Sequence, residues 1–234
     1  MFRTLTKINM AKKGLQIFGR PTNFLSNLHA KRGFLLAVYV TLICQLSFTF
    51  YLLHYLLKHK DMGDRVAKYW LLWFLLSLAT IFAIFVVPLP VQLLLFALLS
   101  ALMSAMLYRV AKRFSPELIK AALLGTIGIF VCLSLVGVFL ALLGYNLTFM
   151  YAMLMAVLVA LFVVFVLLLF IPVPTVIYKI VLSVSLTLFS VYVVVDTNVI
   201  LQKDYFGNFV TAALSFYLDF INIFQDLLLL SGLD

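Results

Sequence analysis

Long apolar runs, separated by short polar breaks, make up most of this chain. A helix needs about 20 apolar residues to cross a bilayer. Runs of that kind predict seven spans, at about Phe34–Leu57, Tyr69–Val87, Val91–Tyr108, Leu118–Leu143, Leu147–Phe170, Thr175–Leu201 and Phe209–Leu230. Prolines, which a helix interior tolerates poorly, fall between spans at Pro88, Pro90, Pro172 and Pro174. The pattern therefore predicts an all-α bundle of seven membrane-spanning helices, with the second and third forming a tight antiparallel hairpin.

The predicted spans differ in polarity. The fifth is apolar on every face, whereas the seventh is only half hydrophobic and is not suited to face lipid, because it contains Asp219, Asn222, Gln225 and Asp226. The first carries a polar stripe spaced by four, which is more typical of a helix–helix contact than of an ion path: Thr41, Gln45 and Thr49. The fourth has small residues at the same spacing, which favour close approach of neighbouring helices: Ala121 with Gly125, and Gly128 with Cys132. This fourth span should begin after Ser115, since Ser115-Pro-Glu117 is typical of a capped helix start.

The composition agrees with a membrane protein and excludes soluble, disordered and disulfide-framework proteins. Of the 234 residues, 66% are hydrophobic and 11% are charged, and the mean hydropathy is +1.20; a soluble domain is about half apolar and a quarter charged. We expect a basic cytoplasmic N-terminal segment over residues 1–33 and a transmembrane domain over 34–232. Cys44 and Cys132 fall within spans, and the three histidines are too scattered to assemble a zinc site.

The net charge of +9 is concentrated at the start, where Lys and Arg crowd the first 33 residues and the first acid is Asp61. A basic segment beside a span is typical of the cytoplasmic side and of attraction to anionic headgroups, rather than of nucleic-acid binding. A mitochondrial presequence is a weaker interpretation of the same stretch. The two sides of the seven-span layout carry nearly equal numbers of Lys and Arg, so the dense basic flank of the first span alone favours a cytoplasmic N-terminus.

Three acids occupy positions where apolar composition would not place them. Asp196 lies in the sixth span, Asp219 and Asp226 lie in the seventh, and the other acids lie in loops or at the chain end. A carboxylate at the centre of a membrane helix costs about 2.5–3.5 kcal/mol on insertion scales. If the last two spans form a hairpin turning near residues 205–208, Asp196 and Asp219 lie level, each about 17 Å of helix from the turn. The spacing therefore predicts two neighbouring carboxyls at membrane depth.

Two carboxyls held close in a low dielectric cannot both ionise easily, so the pair shares a proton and responds to pH. Carboxylate oxygens are also ligands that Ca²⁺ prefers, which makes Asp196 and Asp219 a candidate pH sensor and transient calcium site on a cation path. Four further polar residues are predicted to support it: Tyr192, Asn198, Asn222 and Asp226. In the structural alternative, the pair only locks two helices together and Asp226 merely reaches the membrane interface.

The C-terminal third resembles the signature of the Bax inhibitor motif family. The resemblance is carried by Val195-Asp-Thr-Asn198 on the sixth span and by Tyr217-Leu-Asp-Phe-Ile-Asn222 on the seventh. Colinear similarity in the basic N-terminus and the interhelical prolines extends it over about residues 34–232. The family includes the Lifeguard and Golgi anti-apoptotic proteins, viral homologues and bacterial calcium-leak relatives.

The resemblance implies a fold in which six helices surround the semi-polar last one. It also implies that Asp196 and Asp219 form the family's pH-sensing pair, which controls a calcium leak that lowers the load of a store. Calcium is then the permeant ion and no cofactor is tightly bound. Two positions depart from the family pattern: Val195 replaces the usual aromatic residue, and Phe82–Val87 lacks the basic residue proposed to latch the second helix to the acids.

The leading hypothesis is a pH-sensitive calcium-permeable leak channel that modulates calcium stores and cell death or stress. Its partners are the lipid bilayer, calcium ions and protons, without nucleic acid. Its membrane is the bacterial inner membrane, or an ER- or Golgi-type internal membrane if the source is eukaryotic or viral. The alternative is a non-conducting regulator of the anti-apoptotic type that binds other membrane proteins. An intramembrane aspartyl protease would need Gly-x-Gly-Asp, which neither Val-Val-Asp196 nor Tyr-Leu-Asp219 provides, so we predict no enzyme.

Overall fold

The computed structural model describes residues 24–168, 170–202 and 207–232, with side chains from residue 31 onward. Within this part of the chain there are eight helices and no strand. The helices are α1 Phe24–Lys58, α2 Lys60–Ala67, α3 Trp70–Ile84, α4 Leu89–Ala111, α5 Pro116–Leu142, α6 Met150–Leu168, α7 Thr175–Leu201 and α8 Phe209–Ser231.

Six of the described helices are long and apolar enough to cross a membrane, namely α1 over Lys31–Lys58 and α4 to α8. The pair α2 and α3, which meet at a 71° bend, makes a seventh candidate. On its own, α3 has 15 residues, about 22 Å of helix, which is short of a ~30 Å hydrocarbon core. The predicted all-α, multi-pass membrane fold is confirmed, with the difference that the second span is short and joined to a bent neighbour.

The predicted first loop, Lys58–Lys68, contains the short helix α2 instead. It packs against the end of α4, where a Cβ on Gly63 would lie 2.3 Å from the Tyr108 ring. The Tyr108 hydroxyl donates to Asp64 Oδ1 at 3.2 Å, and Lys112 Nζ lies 2.6 Å from the same oxygen. These contacts come from a helix about 45 residues further along the chain, so the local charge pattern gave no sign of the helix.

The helix start predicted after Ser115 is confirmed, because Ser115 Oγ accepts the backbone N–H of Leu118 at 3.3 Å before α5. The last helix begins at Phe209 as its apolar run predicted, and Asn208 Oδ1, which was not predicted as a cap, accepts the backbone N–H of Val210 at 3.0 Å. By contrast, α1 begins at Phe24, ten residues before the predicted first span. Residues 1–23 of the predicted N-terminal segment lie outside the described residues.

Helix α8 lies in the centre of the bundle, packed against α1, α4, α5 and α7. Aromatic side chains fill these contacts: Phe224 meets Phe50 edge-on with ring centroids 5.0 Å apart, and Phe216 meets Phe130 at 5.5 Å. Helices α3 and α6 lie at the periphery, with α3 packed on α4 and α6 on α7. The expected central position of the semi-polar last helix is confirmed.

The prediction of close helix approach at the small residues of the fourth span is wrong for Ala121, Gly128 and Cys132, whereas Gly125 faces α8, where a Cβ would lie 3.5 Å from Leu227 Cδ1. Ala121 and Cys132 are exposed, and a Cβ on Gly128 would meet nothing within 4 Å. The close approach is instead at Gly137, where a Cβ would lie 2.6 Å from the Val194 carbonyl oxygen of α7. A spacing of four defines a helix face, but it does not say whether that face meets a helix or lipid.

Candidate functional site between the last two helices

All three acids that the sequence places within the membrane are buried. Asp196 on α7 is 2% exposed, and Asp219 and Asp226 on α8 are each 4% exposed. Asp226 is therefore enclosed by the helices that surround α8.

The structure brings together the two acids that the hairpin spacing places level. The carboxyls of Asp196 and Asp219, called the acid pair below, lie close enough to interact electrostatically, and both interact with the Tyr192 phenol. Asp226 lies two turns further along α8, beside the Ser185 hydroxyl of α7. Acidic groups therefore occupy two depths along the contact between α7 and α8.

The hydrogen bonding around these acids is sparse. Tyr151 on α6 donates its hydroxyl to Asp196 Oδ1. Three other buried polar atoms have no hydrogen-bond partner among the described residues: Asp219 Oδ2, Asp226 Oδ2 and the Tyr192 hydroxyl. None of the three carboxyls forms an ion pair with a Lys or Arg in the described part of the chain. Since an isolated buried carboxylate is very unfavourable, the arrangement favours a proton or a cation at the site.

The predicted supporting residues Asn198 and Asn222 have local structural partners. Asn198 Nδ2 donates to the Tyr145 carbonyl at 3.0 Å, and its Oδ1 accepts the Leu147 backbone N–H at 3.0 Å. Asn198 therefore holds the connection between α5 and α6 against the end of α7. Asn222 is half-buried, and its Nδ2 donates to the Leu218 carbonyl of its own helix at 2.8 Å.

The acid pair offers fewer oxygen ligands than a calcium ion takes. Within the described residues there is no cluster of three or more His, Cys, Asp or Glu side chains that would hold a metal ion. Calcium takes six to eight oxygen ligands, whereas the acid pair supplies at most four. The pair can bind a proton, or contribute carboxylate oxygens to a cation that keeps other ligands.

Two contacts near the site were not predicted from the sequence. Tyr151 lies in the span that looked apolar on every face, and no spacing or motif linked it to Asp196. Lys31, assigned to the N-terminal segment, lies in α1 and donates to the carbonyls of Ile200, at 3.2 Å, and Gln202. Lys31 thereby satisfies carbonyls at the end of α7, which the helix itself leaves unpaired.

The polar stripe of the first span belongs to a helix contact, as its spacing suggested. The Thr49 hydroxyl is buried and lies 2.8 Å from the Tyr217 hydroxyl of α8. Ser104 of α4 donates to the Thr49 carbonyl at 2.9 Å. The first bond fastens α8 to α1 two residues before Asp219, and the second joins α4 to α1 at the same level.

The comparison with protein families gives one match that covers most of the chain. The family model described as "Inhibitor of apoptosis-promoting Bax1" matches residues 31–233. No curated protein matches the chain.

Proposed function

Since the chain belongs to the family of inhibitors of apoptosis-promoting Bax1, we propose that it is a pH-sensitive, calcium-permeable leak channel. Family membership supports a multi-pass membrane regulator of apoptosis or stress, and fits a channel or regulator rather than an enzyme. The proposal adds the activity: the acid pair binds protons and passing calcium ions, and so sets a calcium leak from a store. The membrane is an ER- or Golgi-type internal membrane, or the bacterial inner membrane.

The observation that carries the proposal is the set of three buried carboxyls without a basic partner in the described residues. Ionisable residues inside a membrane protein mark ion paths or proton relays by default, because their burial is otherwise unfavourable. If the three acids had only a structural role, their oxygens would be expected to accept hydrogen bonds. Asp219 Oδ2 and Asp226 Oδ2 have no donor in the described structure.

The arrangement also supports a direction for the path. Asp226 lies two turns from the acid pair, in contact with Ser185, and Tyr178 of α7 interacts electrostatically with it. Polar side chains therefore continue from the acid pair toward the end of the bundle where α7 begins. Protons compete with calcium for the same carboxylate oxygens, so occupancy of the pair depends on pH.

The test is calcium flux into liposomes that contain the purified protein and a calcium-sensitive dye. Flux is measured from about pH 6 to about pH 8, so that the effect of protonating the acid pair on calcium passage is measured directly. We expect pH-dependent flux in the wild type, and loss of that pH dependence in Asp196→Asn and in Asp219→Asn. The matched control is Asp61→Asn, which removes an exposed acid on α2 and should behave as wild type.

Unchanged flux and unchanged pH response in Asp219→Asn would contradict the proposal. The alternative function, a non-conducting regulator that binds other membrane proteins, is supported by the family description alone. It predicts that protection of cells from apoptosis survives when both acids of the pair are replaced by Asn, whereas the channel predicts that protection is lost.

A further inference from the structure

We infer that Tyr151 is the positioning residue of the acid pair: its hydrogen bond holds the Asp196 carboxyl in place and ties α6 to the acid pair. The inference rests on the proposed function in so far as the pair controls flux. The contact itself joins the least buried of the six candidate spans to a buried acid.

Helix α6 has few other attachments. Its only fully buried side chains in the described structure are Leu154 and Leu161. Beyond Tyr151 it makes one ring contact, between Phe162 and Phe74 of α3 at 6.2 Å. Next to Leu154, an open apolar groove of about 610 Å³ separates α6 from α7. The two helices are therefore joined at the Tyr151 level and diverge beyond it.

The hydrogen bond makes the two acids unequal. A phenol hydroxyl that donates to a carboxylate stabilises its charge, because bonds to an ionised acceptor are the stronger ones. Asp196 receives that bond, whereas Asp219 Oδ2 has no partner among the described residues. Tyr151 therefore holds the Asp196 carboxyl in one orientation, whereas no described donor holds Asp219 Oδ2 in the same way.

No other described group competes for this role. Tyr192 precedes Asp196 by one turn on α7, and its hydroxyl has no hydrogen-bond partner in the described structure. Helix α8 presents Asp219, and α5 presents Gly137 against the α7 backbone. Lys31 of α1 reaches carbonyls beyond Asp196, at Ile200 and Gln202.

The experiment compares Tyr151→Phe with Tyr51→Phe. Each variant loses one tyrosine hydroxyl, but Tyr51 lies on α1 and is 66% exposed, so it serves as the matched control outside the site. The first readout is the midpoint of calcium flux against pH in liposomes. Loss of the hydrogen bond that positions Asp196 should displace the Tyr151→Phe midpoint by about one pH unit, whereas the Tyr51→Phe midpoint should stay at that of wild type.

The second readout needs no calcium flux. Hydrogen exchange of the first turns of α6, measured in nanodiscs, should be faster in Tyr151→Phe than in wild type or Tyr51→Phe. Equal midpoint shifts in the two variants, or unchanged exchange in Tyr151→Phe, would overturn the inference. If the wild type carries no calcium at any pH, the proposed function fails, while faster exchange confined to Tyr151→Phe still supports the role of Tyr151.

Discussion

Helices α6 and α8 relate polarity to burial in opposite ways. α6 has the highest mean hydropathy of the candidate spans, yet 11% of its apolar stretch is buried, whereas α8 has the lowest and 61% of its stretch is buried. In a bilayer, apolar surface gains nothing by leaving lipid for another helix, because the lipid tails are equally apolar. A helix that carries Asp219 and Asp226 does gain by leaving lipid. In this bundle, polarity therefore identifies the central helix.

The largest expected effect comes from closing the space beside the central helices. Gly137→Leu places side-chain atoms where a Cβ alone would lie 2.6 Å from the Val194 carbonyl oxygen. The α5–α7 contact would have to separate, at a cost of about 3 kcal/mol or more. We expect little monodisperse protein in size-exclusion chromatography. Gly128→Leu is the control on the same helix, since it faces open space, and equal loss in both variants would contradict the account.

The comparison of α6 with α8 also predicts unequal responses to the same truncation. Leu228 on α8 is 1% exposed, and Leu167 on α6 is 50% exposed. Leu228→Ala leaves a cavity in the centre and should lower the free energy of unfolding by about 2–5 kcal/mol. Leu167→Ala exchanges a lipid contact and should change it by less than about 0.5 kcal/mol. Thermal unfolding in one detergent compares them, and equal losses would refute the central position of α8.

A smaller effect is expected where polar groups fasten α8 to its neighbours. Thr49→Val removes the hydroxyl that lies 2.8 Å from the Tyr217 hydroxyl. An interhelical hydrogen bond in a membrane contributes about 0.6 kcal/mol on average. Denaturant unfolding should therefore show a free energy of unfolding that is lower by about that amount. Thr41→Val makes the same change about two turns earlier on α1. It should have less effect on stability if the Tyr217 contact is the cause.

The smallest effect should come from the surface. Asp64 and Lys112 form an ion pair at 2.6 Å, but their side chains are 58% and 39% exposed, and exposed pairs contribute little. Asp64→Asn should leave the thermal midpoint close to that of the control Asp61→Asn. A loss as large as that of Leu228→Ala would show that α2 contributes more to the bundle than its exposure indicates.

Much of the fold could be predicted from the sequence, because apolar runs and helix caps are local signals. Thr175–Leu201 is a helix with the predicted bounds, and the start after Ser115 follows from its capping side chain. The short helix α2 could not be predicted, since it depends on Gly63 meeting Tyr108. Which small residue meets a neighbouring helix depends in the same way on how α5 is rotated.

The candidate site was also predictable only where local spacing was sufficient. Hairpin spacing was enough to place Asp196 and Asp219 together, because both lie on consecutive helices that few residues of sequence separate. Tyr151 lies 45 residues before Asp196 on another helix, and a single tyrosine in an apolar run carries no periodic signal. Contacts between non-consecutive helices depend on their arrangement around α8, which the sequence pattern does not give.

The central claim is that the acid pair inside the bundle controls cation passage. The most direct test is the pH dependence of calcium flux in liposomes that contain wild type or the Asp196→Asn, Asp219→Asn double variant at equal protein density. The account predicts flux that varies with pH in the wild type and flux that is independent of pH in the double variant. Identical pH-dependent flux in both preparations would contradict it.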